Sequence, residues 1–160
     1  LGWGWGGLVY LVDFLKGWLP TLLLPGALGV SAGWPWGVCF GVATIAGHVK
    51  PIFLLGRGGG KGVATASGVF MALAALPTAI AIAVFALVVA ATRYVSLGSM
   101  VAAVALASVL LFTAGPRSPL FAVSCAIAAF VIWAHRENIG RLRRGEERRL
   151  GRAGGAGSVS

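Results

Sequence analysis

Long apolar runs alternate with short polar connections along this chain, and each run approaches the roughly 20 residues that cross a hydrocarbon core. Six runs stand out, at about Gly7–Leu24, Trp34–Gly47, Val63–Leu76, Thr78–Ala91, Ser99–Ala114 and Leu120–Ala134. None shows the strict in/out alternation of a membrane strand, so each reads as a helix. A bilayer admits only helices or a closed barrel, because backbone groups there have no water to bond. The predicted fold is therefore all-α, a polytopic membrane helix bundle with six spans. The third and fourth runs are short, about 21 Å each at 1.5 Å per residue, with Pro77 at their junction. They read as tilted spans in a thinned region, or as a partly re-entrant pair.

Composition supports the same class. Apolar residues make up 58% of 160 positions, charged residues 11%, and the mean hydropathy is +0.91. A soluble domain carries about 25% charged residues, so this chain lacks the polar surface of a water-soluble globule. The net charge of +9 would suggest nucleic acid in a soluble protein. Here, however, the cations sit between apolar runs and in an Arg-rich tail, without interleaved aromatics, so no nucleic-acid partner is expected. The connections 48–62 and 92–98 and the tail carry Lys50, Arg57, Lys61, Arg93, Arg136, Arg141, Arg143, Arg144, Arg148, Arg149 and Arg152, against Arg117 alone on the other side. The positive-inside rule places those three segments in the cytoplasm. The Gly/Ser-rich stretch 153–160 is predicted to be disordered, leaving 1–152 as a single membrane-embedded domain. Cys39 and Cys125 lie within apolar runs and read as small packing residues. The two histidines and scattered acids lie on separate segments, so no metal site is expected.

Three polar segments could carry chemistry. In Gly56-Arg57-Gly58-Gly59-Gly60-Lys61-Gly62-Val63 the glycines leave backbone N–H groups open to an anion. Lys61 adds a charge, and the helix start that follows also favours an anion. It is not a Walker A loop, because Leu55 and Gly62 stand where that pattern needs Gly and Ser/Thr. The alternative is a flexible interfacial loop that only sets topology. In Thr92–Ser99, Arg93 suits bidentate contact with a phosphate; Ser96 and Ser99 would either cap the fifth span or donate to a substrate. In the third segment, His135 and Asn138 share a face beside Glu137. Histidine can move a proton and asparagine can orient a carbonyl, or the cluster merely anchors the helix at the interface. His48 opens the first connection, and Asp13 and Lys16 share a helix face in the first span as a candidate ion pair.

Taken in order, these segments resemble the bacterial acyl-phosphate:glycerol-3-phosphate acyltransferase family, the PlsY type. The resemblance rests on Gly47-His48, on Gly59 through Thr65, on Thr92 through Ser99, and on His135 through Ile139 followed by Arg141-Leu142 and Gly145-x-Glu147; Asp13 through Gly17 resembles the family's second span. It implies seven helices in the intact family, an active site at the cytoplasmic face of the bacterial plasma membrane, and transfer of a fatty acyl group from acyl phosphate to the 1-hydroxyl of sn-glycerol 3-phosphate. The product would be lysophosphatidic acid, the first step of phospholipid synthesis. On this resemblance Lys61, Ser99, His135 and Asn138 are the candidate catalytic residues. Gly59, Gly60, Gly62, His48, Arg93, Ser96 and Glu137 are the candidate substrate-binding ones. No cofactor is implied, the partners are the two substrates and membrane lipids, and a monomer is expected. The family also carries an amino-terminal helix and a Ser-Gly-Asn, Gly-Ala-Thr-Asn-type motif ahead of position 1, so a truncated, inactive chain is an expectation. The rival is a small multi-pass transporter of a phosphorylated solute, which would want polar groups at the bilayer midplane.

Overall fold

The computed structural model describes residues 3–30, 35–50 and 60–151. Among them seven helices follow in order: α1 (Trp3–Ala27), α2 (Trp36–Val49), α3 (Val63–Leu73), α4 (Ala75–Thr92), α5 (Val95–Ala114), α6 (Pro119–Ala134) and α7 (Arg136–Arg143). The first six fall where apolar runs were expected, so the chain is an all-α membrane helix bundle. Gly4–Ala27, Ala75–Thr92 and Val95–Ala114 are each long and apolar enough to cross a membrane. A fourth candidate is α6 taken with α7, bent by 55° at His135. The apolar helices α2 and α3 are shorter, with 14 and 11 residues. The predicted disordered stretch 153–160 lies outside the described residues.

The first helix is longer than expected at both ends, and three further differences have local reasons. The break between the third and fourth helices falls at Ala74, which leaves the helical region (φ −154°, ψ 74°), rather than at Pro77. Pro77 sits in the first turn of α4, where a missing N–H costs no helical bond. The fifth helix begins at Val95, so the connection expected at 92–98 shrinks to Arg93-Tyr94. Arg93 closes α4 in the left-handed region at φ 62°, a position usually taken by glycine or asparagine. The polar segment after His135, expected as a His135/Asn138 face leading into the tail, forms the separate amphipathic helix α7.

Apolar side chains coat the outside as well as the inside. Phe112 is 86% exposed and Leu87 70%, as lipid-facing positions must be. Cys39 and Cys125 are also exposed, not packed in the core. Inside, Phe70, Ala81, Leu106 and Leu110 form one cluster and Ile45, Ala66 and Val69 a second.

With lipid on the outside, helices gain little from hiding apolar area against each other, so close backbone approach matters more. It is greatest between α1 and α3. A Cβ on Gly17 would strike the carbonyl of Thr65, and one on Gly68 would strike the carbonyl of Phe14. These two glycines let α3 lie directly on α1, which brings the start of α3 beside Asp13. Gly68→Ala is therefore expected to cost about 2 kcal/mol, in the range for overpacking a tight site. Gly6→Ala, where a Cβ meets nothing within 4 Å, should leave stability unchanged or improved. Thermal unfolding in detergent checks this; equal midpoints for the two variants would refute the close-crossing account.

Candidate active site

Two cavities adjoin at one end of the bundle. The polar one, about 550 Å³, is lined by the end of α2, the start of α3, the start of α5, the α6–α7 corner and the segment after α7. The apolar one, about 200 Å³, runs between α3, α4, α5 and α6, with Tyr10 of α1 at its side. Val63, Ala64, Val95 and Ser99 belong to the walls of both.

The polar cleft is organised by Glu147, whose side chain is only 7% exposed. Its Oε1 accepts from Ser96 Oγ at 2.7 Å and from Asn138 Nδ2 at 2.6 Å. Its Oε2 accepts from Arg141 Nε at 2.8 Å, which is also an ion pair. With its amide nitrogen committed to Glu147, Asn138 turns its Oδ1 to Lys61, and Lys61 Nζ donates to it. A continuous chain thus runs from the α2–α3 connection through α7 to α5. Burial alone would push the Glu147 carboxyl up. The bonds from Asn138, Ser96 and Arg141, with the charge of Arg141, outweigh it and hold it at about 2. Lys61 is lowered, first by burial and then by Arg141, against an upward pull from Glu147 and Glu137.

His135 joins α6 to α7 and is 3% exposed. Its Nδ1 lies 2.8 Å from the Val131 carbonyl, which can only accept, so Nδ1 carries the hydrogen and Nε2 is left as an acceptor. Burial lowers its pKa; the bond to Val131 opposes this, and Lys61 adds to it. A neutral imidazole with an open acceptor nitrogen can receive a hydroxyl proton or orient a hydroxyl group.

At the start of α3, Gly62 is left-handed at φ 75° and no side chain caps the helix. The first N–H groups of α3 are therefore available to an anion at the cleft. Gly60 lies against His48, where a Cβ would meet the imidazole at Nε2 and require the ring to shift. Asp13 also lines the cleft, 2.5 Å from Lys16 and 3.8 Å from His48 Nδ1.

Of the residues singled out in the sequence, Lys61, Ser99, His135 and Asn138 line this one cleft, with His48, Gly60, Gly62 and Ser96. Gly59 lies outside the described residues. Arg93 and Glu137 do not line the cleft, contrary to expectation. Arg93 is exposed at the end of α4, and its carbonyl accepts from Leu150 N at 2.8 Å. Glu137 is exposed on the first turn of α7, one residue before the buried Asn138 and hence about 100° around the helix from it. Neither serine caps a helix: Ser96 bonds Glu147, and Ser99 Oγ donates to Val95 O at 2.9 Å. Sequence reasoning assigned no site role to Glu147, Arg148 or Arg149. In the sequence Glu147 stands only at the end of a motif, and the two arginines only as topology-setting charge.

The family profile described as glycerol-3-phosphate acyltransferase matches residues 1–145. A protein named glycerol-3-phosphate acyltransferase from Geobacter sulfurreducens is 47% identical over 141 residues, covering 88% of this chain and 70% of that protein. One of the same name from Aquifex aeolicus is 41% identical, covering 94% and 76%. A crystal structure of PlsY (YgiH), an integral membrane glycerol 3-phosphate acyltransferase in its glycerol 3-phosphate form, superposes with a TM-score of 0.80. The two are 37% identical, over 92% of this chain and 72% of that one. Its lysophosphatidic acid form gives a TM-score of 0.79.

The clamp on Glu147 has a pH signature. The folded chain holds this carboxyl at about 2 against an ordinary 4.5. The unfolded chain therefore takes up the proton first as the solution is acidified. The stabilisation is complete above 4.5 and disappears as the pH falls towards 2. Glu147→Gln cannot ionise, so its unfolding midpoint should sit below wild type near neutrality and converge on it in acid. Midpoints at about pH 7, 4.5 and 2.5 test this; a constant gap across the series would mean that the charge is not what the clamp uses.

Proposed function

The chain belongs to the glycerol-3-phosphate acyltransferase family, and on that premise we propose that it transfers a fatty acyl group from acyl phosphate to the 1-hydroxyl of sn-glycerol 3-phosphate, forming lysophosphatidic acid. The observation that carries this reading is the shared wall of the two cavities. An acyl chain lying in the apolar cavity would bring its carbonyl to Val63, Val95 and Ser99, at the edge of a cleft suited to phosphate.

The chemistry needs no protein nucleophile. Acyl phosphate is already activated, so orientation and charge stabilisation suffice. The glycerol hydroxyl oxygen bonds to the acyl carbon, the carbon–oxygen bond to phosphate breaks, and phosphate leaves with the electron pair. The hydroxyl proton passes to a phosphate oxygen. Lys61, with the backbone of Gly60 and Gly62 and the start of α3, holds one phosphate. Ser99, His135 and Asn138 orient the hydroxyl and the carbonyl, and His48 and Ser96 complete the wall. Glu147 acts through Asn138 and Ser96 as a positioning residue.

The reading places the cleft on the cytoplasmic side of a bacterial plasma membrane, by the positive-inside rule. Residues 1–152 act there as one membrane-embedded domain, as a monomer.

Acyl transfer in liposomes tests the proposal, with palmitoyl phosphate and labelled glycerol 3-phosphate as substrates. Labelled lysophosphatidic acid is expected when the amino-terminal helix and motif implied by the resemblance are supplied, and Lys61→Ala in that protein should reduce its formation by about a thousandfold, as the loss of a charged transition-state contact does. Full activity in that variant would remove Lys61 from the site. Product from palmitoyl-CoA but not from palmitoyl phosphate would overturn the donor, and solute uptake without product would favour a transporter.

A further inference from the structure

The proposed transfer brings two phosphate groups into one cleft, and Lys61 with its glycine neighbours accounts for one. Of the five charged side chains among the described residues lining the cleft, Asp13 and Glu147 are acidic and Lys61, Arg148 and Arg149 are basic. Both acids are already neutralised from behind, Asp13 by Lys16 at 2.5 Å and Glu147 by Arg141 at 2.8 Å. None of the three cations is paired with a carboxylate among the described residues. The field in the cleft is therefore that of Lys61 together with a second cationic pole, from a different part of the chain.

That second pole is built on a strap. After α7 the chain turns at Gly145 (φ 71°) and runs back to the α4–α5 corner, ending at Gly151 (φ 82°). Glu147 ties it to α5 through Ser96, and Leu150 N donates to the carbonyl of Arg93 at 2.8 Å. Between these ties, Arg149 Nε donates to Tyr94 Oη at 3.1 Å, and its guanidinium carbon lies 5.3 Å from the centre of the Tyr94 ring. A guanidinium held by Nε and by a ring face keeps its two terminal nitrogens free, the fork that matches two phosphate oxygens.

We propose that Arg149, held in place by Tyr94 on the strap 145–151, binds the phosphate group of one of the two substrates, distinct from the one held at Lys61. The proposal rests on the two-phosphate reaction above and deepens it. Tyr94 is a positioning residue, and the docked strap keeps the arginine at the mouth of the cleft.

The test is steady-state kinetics of full-length Arg149→Gln, Arg149→Lys and Tyr94→Phe in liposomes, with each substrate varied in turn. Arg149 is exposed, so its variants should fold; unchanged thermal midpoints verify it. Arg149→Gln is expected to raise KM for one phosphate substrate by about tenfold, the scale of one charge-assisted contact, and to leave the other within about twofold. The affected substrate, acyl phosphate or glycerol 3-phosphate, identifies which phosphate the pole holds. Arg149→Lys should recover only part of the loss, because lysine lacks the fork, and Tyr94→Phe should raise the same KM by a smaller factor. A fall in kcat with both KM values unchanged, or equal rises in both, would overturn the proposal in favour of a purely structural strap. Phosphorus NMR line broadening of inorganic phosphate gives a reading that does not depend on turnover. Weaker broadening with Arg149→Gln than with wild type supports the pole even if palmitoyl phosphate proves not to be the donor, whereas identical broadening refutes it.

Discussion

A carboxylate taken almost entirely out of water must be met by donors, and at Glu147 that requirement joins three parts of the chain. Ser96 comes from α5, Asn138 and Arg141 from α7, and Glu147 itself from the segment that follows. An unpaired buried charge would cost several kcal/mol, so all three donors must be in place together. The consequence reaches beyond the carboxylate. Asn138 has one nitrogen to give to Glu147 and one oxygen left, and that oxygen receives Lys61. The cation of the glycine segment is thus aimed by an acid 86 positions further along the chain.

The bundle underneath serves the same end. Gly17 and Gly68 remove the side chains that would hold α1 and α3 apart, and the start of α3 arrives at the cleft beside Asp13 and His48. The 55° bend at His135 turns the apolar α6 into the charged, amphipathic α7, and the buried imidazole sits at the corner with Nδ1 committed to Val131. Small residues along α3, α4 and α5, among them Ala66, Ala81, Ala102 and Ala103, leave space for an apolar tail next to polar machinery. An enzyme that joins a lipid to a water-soluble phosphate needs that adjacency.

Much of this was legible in the sequence. Apolar run length and scarcity of charge dictate membrane helices, because no other backbone arrangement satisfies its polar groups in lipid. All six apolar helices form near their expected places. The Gly-Gly-Lys-Gly segment, the Ser96/Ser99 pair and the His135/Asn138 pair are residue types with few roles in an apolar chain, so they pointed to chemistry without coordinates. Where the reading missed, the competing rule is identifiable. Pro77 marked a junction, yet a first helical turn tolerates proline; α7 went unseen because it is short and strongly charged.

The sequence by itself determined the solvent, the helical class and the short roster of polar groups able to handle phosphate, because these follow from composition and from local chemistry. Only the tertiary structure decided which members of that roster meet. Arg93 and Glu137 were as well qualified by type as Lys61 and Asn138, but a left-handed helix end turns one outward and a single step around α7 turns the other. Glu147 stood only at the end of a motif, and Arg149 looked like ordinary tail charge, until the chain folded back on the α4–α5 corner. The physical reason is that hydrogen bonds across 51 to 77 positions, such as Ser96 to Glu147 and Lys61 to Asn138, depend on helix packing and chain reversal, which no local pattern encodes.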